Sequence, residues 1–337
     1  MTSTRTLRVA AAIIGFAGLA LSSAAHAQWK PTKPINIIVP WAAGGATDQM
    51  IRITAGDLEA ALGQKIVVLN QPGASGSIGT KNALEAPKDG YTWTSGAPKD
   101  LGSYKILGMV DTTMQDWHLY LHLALPTVVS VPANSPYKDM KGLLEAMKAK
   151  PGLVSVATAG VNSSGHTAIE QIAAATGIKY KHVTYDGGNP AVIATVAGET
   201  EVTTQLSSEQ SEMIRGKRLR PLAVVGDKAI EIEGHGSIPP LSEFVPGFKT
   251  PVSYFGIFVP KGVPAEVTAT LDAIWMDKIA KSEVIKKYAT SRGALMVVAA
   301  GAEAQKIAMP AVADAAWQKF NAGQAKMSPD TVGIPKP

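Results

Sequence analysis

The chain has 337 residues, a formal net charge of +5, 46% hydrophobic residues, 18% charged residues and no cysteine. That composition describes an ordinary globular protein, and the small, dispersed charge argues against a nucleic-acid or membrane-surface partner. The missing cysteine excludes thiol catalysis, iron–sulfur clusters and Cys-ligated zinc, so stability must come from core size alone.

In chain order, residues 1–27 read as a secretory signal peptide. Arg5 and Arg8 precede an apolar run, which ends in small residues and Ala25-His26-Ala27. Cleavage is expected near Ala27, which leaves a mature chain of about 310 residues, long enough for two domains. Residues 35–39 form a buried strand and residues 47–62 a helix, with Thr47 or Asp48 as N-cap and Gly63 past its end. Residues 66–69 are the next strand. A glycine-rich turn over 70–77 and a short helix stopped by Pro87 lead to a strand at 91–93. Further strands are expected at 128–131, 154–157, 182–185, 222–225 and 255–259. Helices are expected at 137–149, 166–175, 191–197, 267–280 and 302–322, the last broken or kinked at Pro310. The basic run Arg215–Arg220 reads as a solvated turn before a strand. Alternating strands and helices imply an α/β protein with mainly parallel sheets and helices on both faces.

Three segments pass from a strand through a Gly- or Ser-rich turn into a helix. The first carries Trp41, Gly44, Gly45, Ala46, Thr47 and Asp48, the second Ser163, Ser164, His166 and Thr167, and the third Tyr185, Gly187 and Gly188. Glycine lets backbone approach a ligand closely, and the free amides of a helix's first turn, with its dipole, favour an anion. Three such turns suit a cleft outside the carboxyl ends of the strands, with Trp41 as core or as cleft wall. The chain has no GxxxxGK[ST] loop and no GxGxxG after its first strand. His118 and His122 stand four residues apart without an intervening Glu, and read as a packed amphipathic segment. Ser163 or Ser164 beside His166 suggests a nucleophile and base, but no GxSxG elbow is present, and His166 reads better as a ligand-touching residue at a helix start.

These motifs and their order resemble the Bug-type receptors, the extracytoplasmic solute receptors of tripartite tricarboxylate transporters. The resemblance runs from Pro34 to Asp48, then through Leu62-Gly-Gln64, residues 70–79 and Ala86-Pro-Lys-Asp-Gly-Tyr-Thr92. It continues through Asn162–Thr167, Tyr185-Asp-Gly-Gly188, Gly198 and residues 255–264. It implies a two-lobe periplasmic binding protein (type II-like) that closes around a carboxylate. Lobe one spans residues 28–127 and 253–337, lobe two 128–252, and the crossover strands form the hinge. It implies ligand contacts at Trp41, Gly44, Gly45, Ala46, Thr47 and Asp48, and across the cleft at Ser163, Ser164, His166, Thr167, Tyr185, Gly187 and Gly188. Gln205 stands near a position where such receptors commonly carry Asp, which argues against an amino-acid ligand. Trp41 replaces a frequent Phe, and Ala43 a usual Pro. The implied function is capture of a di-, tri- or aromatic carboxylate, without chemistry, metal or cofactor. A monomer would deliver it to membrane permease subunits. A receptor for a sensor kinase and a periplasmic hydrolase are the alternatives.

Overall fold

The computed structural model describes residues 28–337, so the proposed signal peptide lies outside the described residues. The chain first lays down β1 (Ile35–Val39), α1 (Ala46–Leu62), β2 (Ile66–Asn70), α2 (Ser77–Glu85), β3 (Thr92–Gly96), α3 (Pro98–Leu107) and β4 (Trp117–Ala124). It then crosses to β5 (Thr127–Pro132), α4 (Met140–Ala149), β6 (Ser155–Thr158), α5 (Ser164–Thr176), β7 (Lys181–Thr184), α6 (Gly188–Val196), β8 (Val202–Leu206), α7 (Ser207–Arg215) and β9 (Leu219–Val224). A small hairpin follows, β10 (Ile230–Ile232) with β11 (Gly236–Ile238). The chain returns through β12 (Tyr254–Pro260), α8 (Ala265–Asp277), α9 (Glu283–Ser291), β13 (Leu295–Ala300) and α10 (Gly301–Asn321).

Two sheets result. The first has the order β13-β4-β12-β3-β1-β2 and the second β7-β6-β8-β5-β9. Both are mixed. Pairing is parallel where strands alternate with helices, β1 with β2 and β3, and β6 with β7 and β8. It is antiparallel wherever β4, β5 or β12, the strands next to the crossings, take part. The expected parallel character therefore holds for the βα units. The hinge strands run against it because each leaves one lobe directly for the other.

Apolar residues cover both faces of each sheet, as buried strands require. In lobe one, Ile35, Ile37, Val39, Met50, Ile51, Leu58 and Trp275 pack on one face. Ile38, Leu101, Tyr104, Leu119, Leu121, Phe258 and Val312 pack on the other. In lobe two, Val129, Leu143, Val156, Ile169 and Ile172 lie opposite Val128, Val192, Ile214 and Leu219.

Several sequence expectations change in detail, and the strands β4, β8 and β13 and the helices α7 and α9 were not foreseen. The N-cap of α1 is Gly45, neither Thr47 nor Asp48, because the chain enters helical geometry one residue earlier. Residues 98–107, not foreseen as helix, form α3, with Pro98 in its first turn. Helix α10 runs through Pro310 as one element. His118 and His122, expected as a packed segment rather than as metal ligands, sit on β4, where four residues span about 13 Å.

Candidate functional site

The lobes meet across a closed cleft. The turn after β1 reaches lobe two, where the Ala42 N–H donates to the Asp186 carbonyl at 3.2 Å. A β-carbon on Gly187 would lie 2.8 Å from that of Ala42, so Gly187 sets the closeness of this contact. Gly44, at φ +77°, holds the left-handed conformation of the turn. On the far side, Lys99 Nζ donates to the Asn162 carbonyl (3.0 Å) and Lys319 Nζ to the Val161 carbonyl (2.8 Å). Lys99 also pairs with Asp100 at 2.7 Å. Burial, then the neighbouring Lys99, pushes the Lys319 ammonium down to about 8.

Between these contacts lies a cavity of about 30 Å3, lined among others by Trp41, Thr47, Asp100, Ser163, Ser164, Gly188, Gln205, Glu209 and Phe255. Its chemical centre is the Glu209 carboxylate. This carboxylate accepts from the Ala46 N–H at the start of α1 (3.0 Å) and from the Leu206 N–H (3.2 Å). Oriented to satisfy its neighbours, the Gln205 amide donates to Glu209 at 3.2 Å and accepts from the Ala159 N–H at 2.9 Å. Burial pushes the Glu209 carboxyl up to about 7, against the pull of the Ala46 and Leu206 amides.

A second cavity, of about 560 Å3, lies beside the crossings and is lined by residues including Leu125, Thr127, Thr167, Ala168, Val225, Thr250 and Leu295. Ser164 borders both.

Trp41, Thr47, Ser163, Ser164, Gly188 and Gln205 converge on the smaller cavity, and Gly45 and Ala46 lie against its Glu209 wall, while Gly44 faces Asn189. The remaining expected ligand residues are engaged elsewhere. Asp48 accepts from the Gly44 N–H, Arg52 and Asn70, holding the turn rather than facing the cleft. Burial raises its carboxyl, but these bonds outweigh burial and set it below the ordinary value. His166 does not line the smaller cavity. Its Nδ1 bonds the Val161 carbonyl at 2.7 Å, its Nε2 lies 3.5 Å from Glu170, and its ring stacks on His182 at 4.2 Å. Burial, then His182, pushes it down to about 4. With both ring nitrogens so placed, His166 is not the base of Ser163 or Ser164. Ser163 instead caps α5 through the His166 N–H. Thr167 bonds the Ser163 carbonyl and faces the larger cavity. The Tyr185 hydroxyl points to Glu199.

Glu209, Asp100 and Lys99 escaped the sequence reading. Each lies in the first turn of a helix that directly follows a strand, β8 to α7 and β3 to α3. That is the pattern of the three foreseen turns: α7 even opens on Ser207-Ser208, a local signal like Ser163-Ser164, whereas α3 opens on Pro98-Lys99-Asp100 with no glycine or serine pair to mark it.

The sequence pattern of the tripartite tricarboxylate transporter family receptor matches residues 50–314. The chain belongs to this family of transporter receptors. A Pseudomonas sp. (strain P51) protein from the tcbD–tcbE intergenic region is 33% identical over 265 residues, covering 76% of each chain. The periplasmic binding protein BugD shares the receptor fold, with a TM-score of 0.78 at 23% identity over 88% of this chain and all of that one. An R. palustris protein solved with adipate superposes with a TM-score of 0.74 at 25% identity over 87% of this chain and 97% of its own. The receptor family and its structural neighbours are solute-binding proteins, and this chain is a solute-binding protein rather than an enzyme.

Proposed function

We propose that this receptor captures a small organic carboxylate, aliphatic or aromatic, between its lobes in the periplasm. It then presents the closed form to the membrane subunits of a tripartite tricarboxylate-type transporter. It works as a monomer, exported through residues 1–27 and cut near Ala27. Residues 28–127 with 253–337, and residues 128–252, are the two moving bodies. Trp41, Gly44, Gly45, Ala46, Thr47, Ser163, Ser164, Gly188 and Gln205 contact the solute. One observation carries this reading: a carboxylate already sits at the glycine turn, held by the Ala46 N–H of lobe one and groups of lobe two. Backbone donors at a helix start suit an anion without an arginine clamp. Because such donors come from both lobes, an anion there favours closure and shifts the population towards it. The adipate present in one relative supports the choice of solute class.

A thermal-shift panel of adipate, malate and aromatic carboxylates tests the class. At about 100 times its dissociation constant a true ligand adds about 2.7 kcal/mol of stability. Gly45→Val tests the place. Its β-carbon would stand 3.3 Å from the Ala42 carbonyl oxygen and 3.4 Å from Glu209 Oε1, crowding the anion position. Binding should be lost with the fold intact. Unchanged affinity by calorimetry would move the solute to the larger cavity beside the crossings.

A further inference from the structure

We infer that Glu209 is a built-in competitor for the solute: its carboxylate occupies the interlobe anion position, holds the lobes together there, and must be displaced for a solute carboxylate to bind. The inference rests on the reading of this cleft as a carboxylate site.

The geometry treats the Glu209 carboxylate as a ligand. It receives three donors, the Ala46 N–H from lobe one and the Leu206 N–H and Gln205 amide from lobe two. Its shape is matched by glycine. A β-carbon on Gly188 would fall 2.1 Å from the Glu209 carboxyl atoms, so only glycine admits that group at the start of α6. Gly45 stands on the opposite side, where a β-carbon would lie 3.4 Å from Glu209 Oε1. The glycines expected to cradle a solute carboxylate therefore cradle this one.

Space makes the two occupants exclusive. Beside Glu209 the cavity offers about 30 Å3, room for one or two water molecules. Clefts that enclose small organic ligands measure roughly 300–1,000 Å3. A dicarboxylate can enter only as the Glu209 side chain swings out. An intramolecular carboxylate also competes at an effective concentration of the order of millimolar, which weakens the apparent affinity of any free solute. The effect is selective, since a solute that offers several oxyanion contacts replaces Glu209 more readily than one that offers a single weak contact.

Glu209→Ala and Glu209→Gln, prepared as the full mature chain, test the inference in two arms. In the first, small-angle scattering without added carboxylate should show a larger radius of gyration for Glu209→Ala than for the unmodified protein, because the latch is gone. In the second, calorimetry with adipate and malate should show at least tenfold tighter binding to Glu209→Ala, with Glu209→Gln between. Lys319→Met is the control. It removes a different interlobe bond, the one to the Val161 carbonyl. General loosening of the closed form must lower affinity, whereas loss of a competitor must raise it. Unchanged or weaker binding by Glu209→Ala overturns the competitor role and makes Glu209 a structural or solute-contacting group. Absence of binding to both proteins instead overturns the carboxylate reading. The scattering arm then decides alone, and an unchanged radius overturns the latch.

Discussion

Replacing Glu209 by glutamine should change how stability depends on pH in a way that can be worked out in advance. Burial raises the Glu209 carboxyl from an ordinary 4.5 to about 7. The folded protein therefore holds a proton that the unfolded chain has already released between these values. A raised pKa stabilises the fold fully below 4.5, and that contribution is lost as pH rises through about 7. The shift corresponds to a ceiling of about 3 kcal/mol. Part of the side chain still reaches solvent, which lowers the expected figure to about 1–2 kcal/mol. Glutamine keeps the size and an acceptor oxygen but does not titrate. The assay is urea unfolding of both proteins in buffers from below pH 4.5 to above pH 7, comparing free energies at each pH. Relative to Glu209→Gln, the unmodified protein should lose about 1–2 kcal/mol across the window. His122, His166 and His182 are held neutral by burial and destabilise the fold in acid, but they are common to both proteins and cancel. A difference flat in pH, or a loss by the unmodified protein as pH falls instead of as it rises, would show that burial does not raise the Glu209 carboxyl and would refute its enclosure at the anion position.

Other predictions follow from single contacts. Gly165→Ala would place a β-carbon 1.9 Å from the Thr204 carbonyl oxygen, which is backbone and cannot swing aside, so thermal unfolding should report a loss of about 2–3 kcal/mol. Asp48→Ala leaves the Gly44 N–H, Arg52 and Asn70 without their acceptor; denaturant unfolding should show about 1–2 kcal/mol lost, although Asp48 is not the N-cap. His122 is buried against Thr54 and pushed down to about 3 by burial, so its contribution is lost as pH falls from 6.5 towards 3. His122→Phe should therefore narrow the gap in melting temperature between neutral and acid buffers, and an unchanged gap would mean that the ring is already protonated in the fold.

Much of the architecture is legible along the chain because each element buries its own pattern. Ile35 to Val39 is an apolar run that only a doubly covered strand can hide, and α1 ends at Gly63, whose φ of +68° is the left-handed closing turn that glycine favours. The three anion-friendly turns were visible for the same reason, since glycine pairs and serine runs at helix starts are local signals. Helix α3 was not, because its inward residues include Lys99, Asp100 and Ser103, and such polar side chains give no amphipathic period.

The sequence by itself determined the α/β alternation and the receptor family and marked three turns as candidate anion sites, because these signals depend on neighbours within a few residues. The tertiary structure alone decided which side chains share the cleft. Ala46 and Glu209 meet only because the two lobes close on each other, whereas Leu206 and Glu209 are a local pair at the start of α7, and His166 is drawn from the cleft by Val161, Glu170 and the stacked ring of His182. No local pattern encodes that a carboxylate 163 positions away would reach the first helix, since the contact follows from the packing of two sheets and not from the chemistry of either segment.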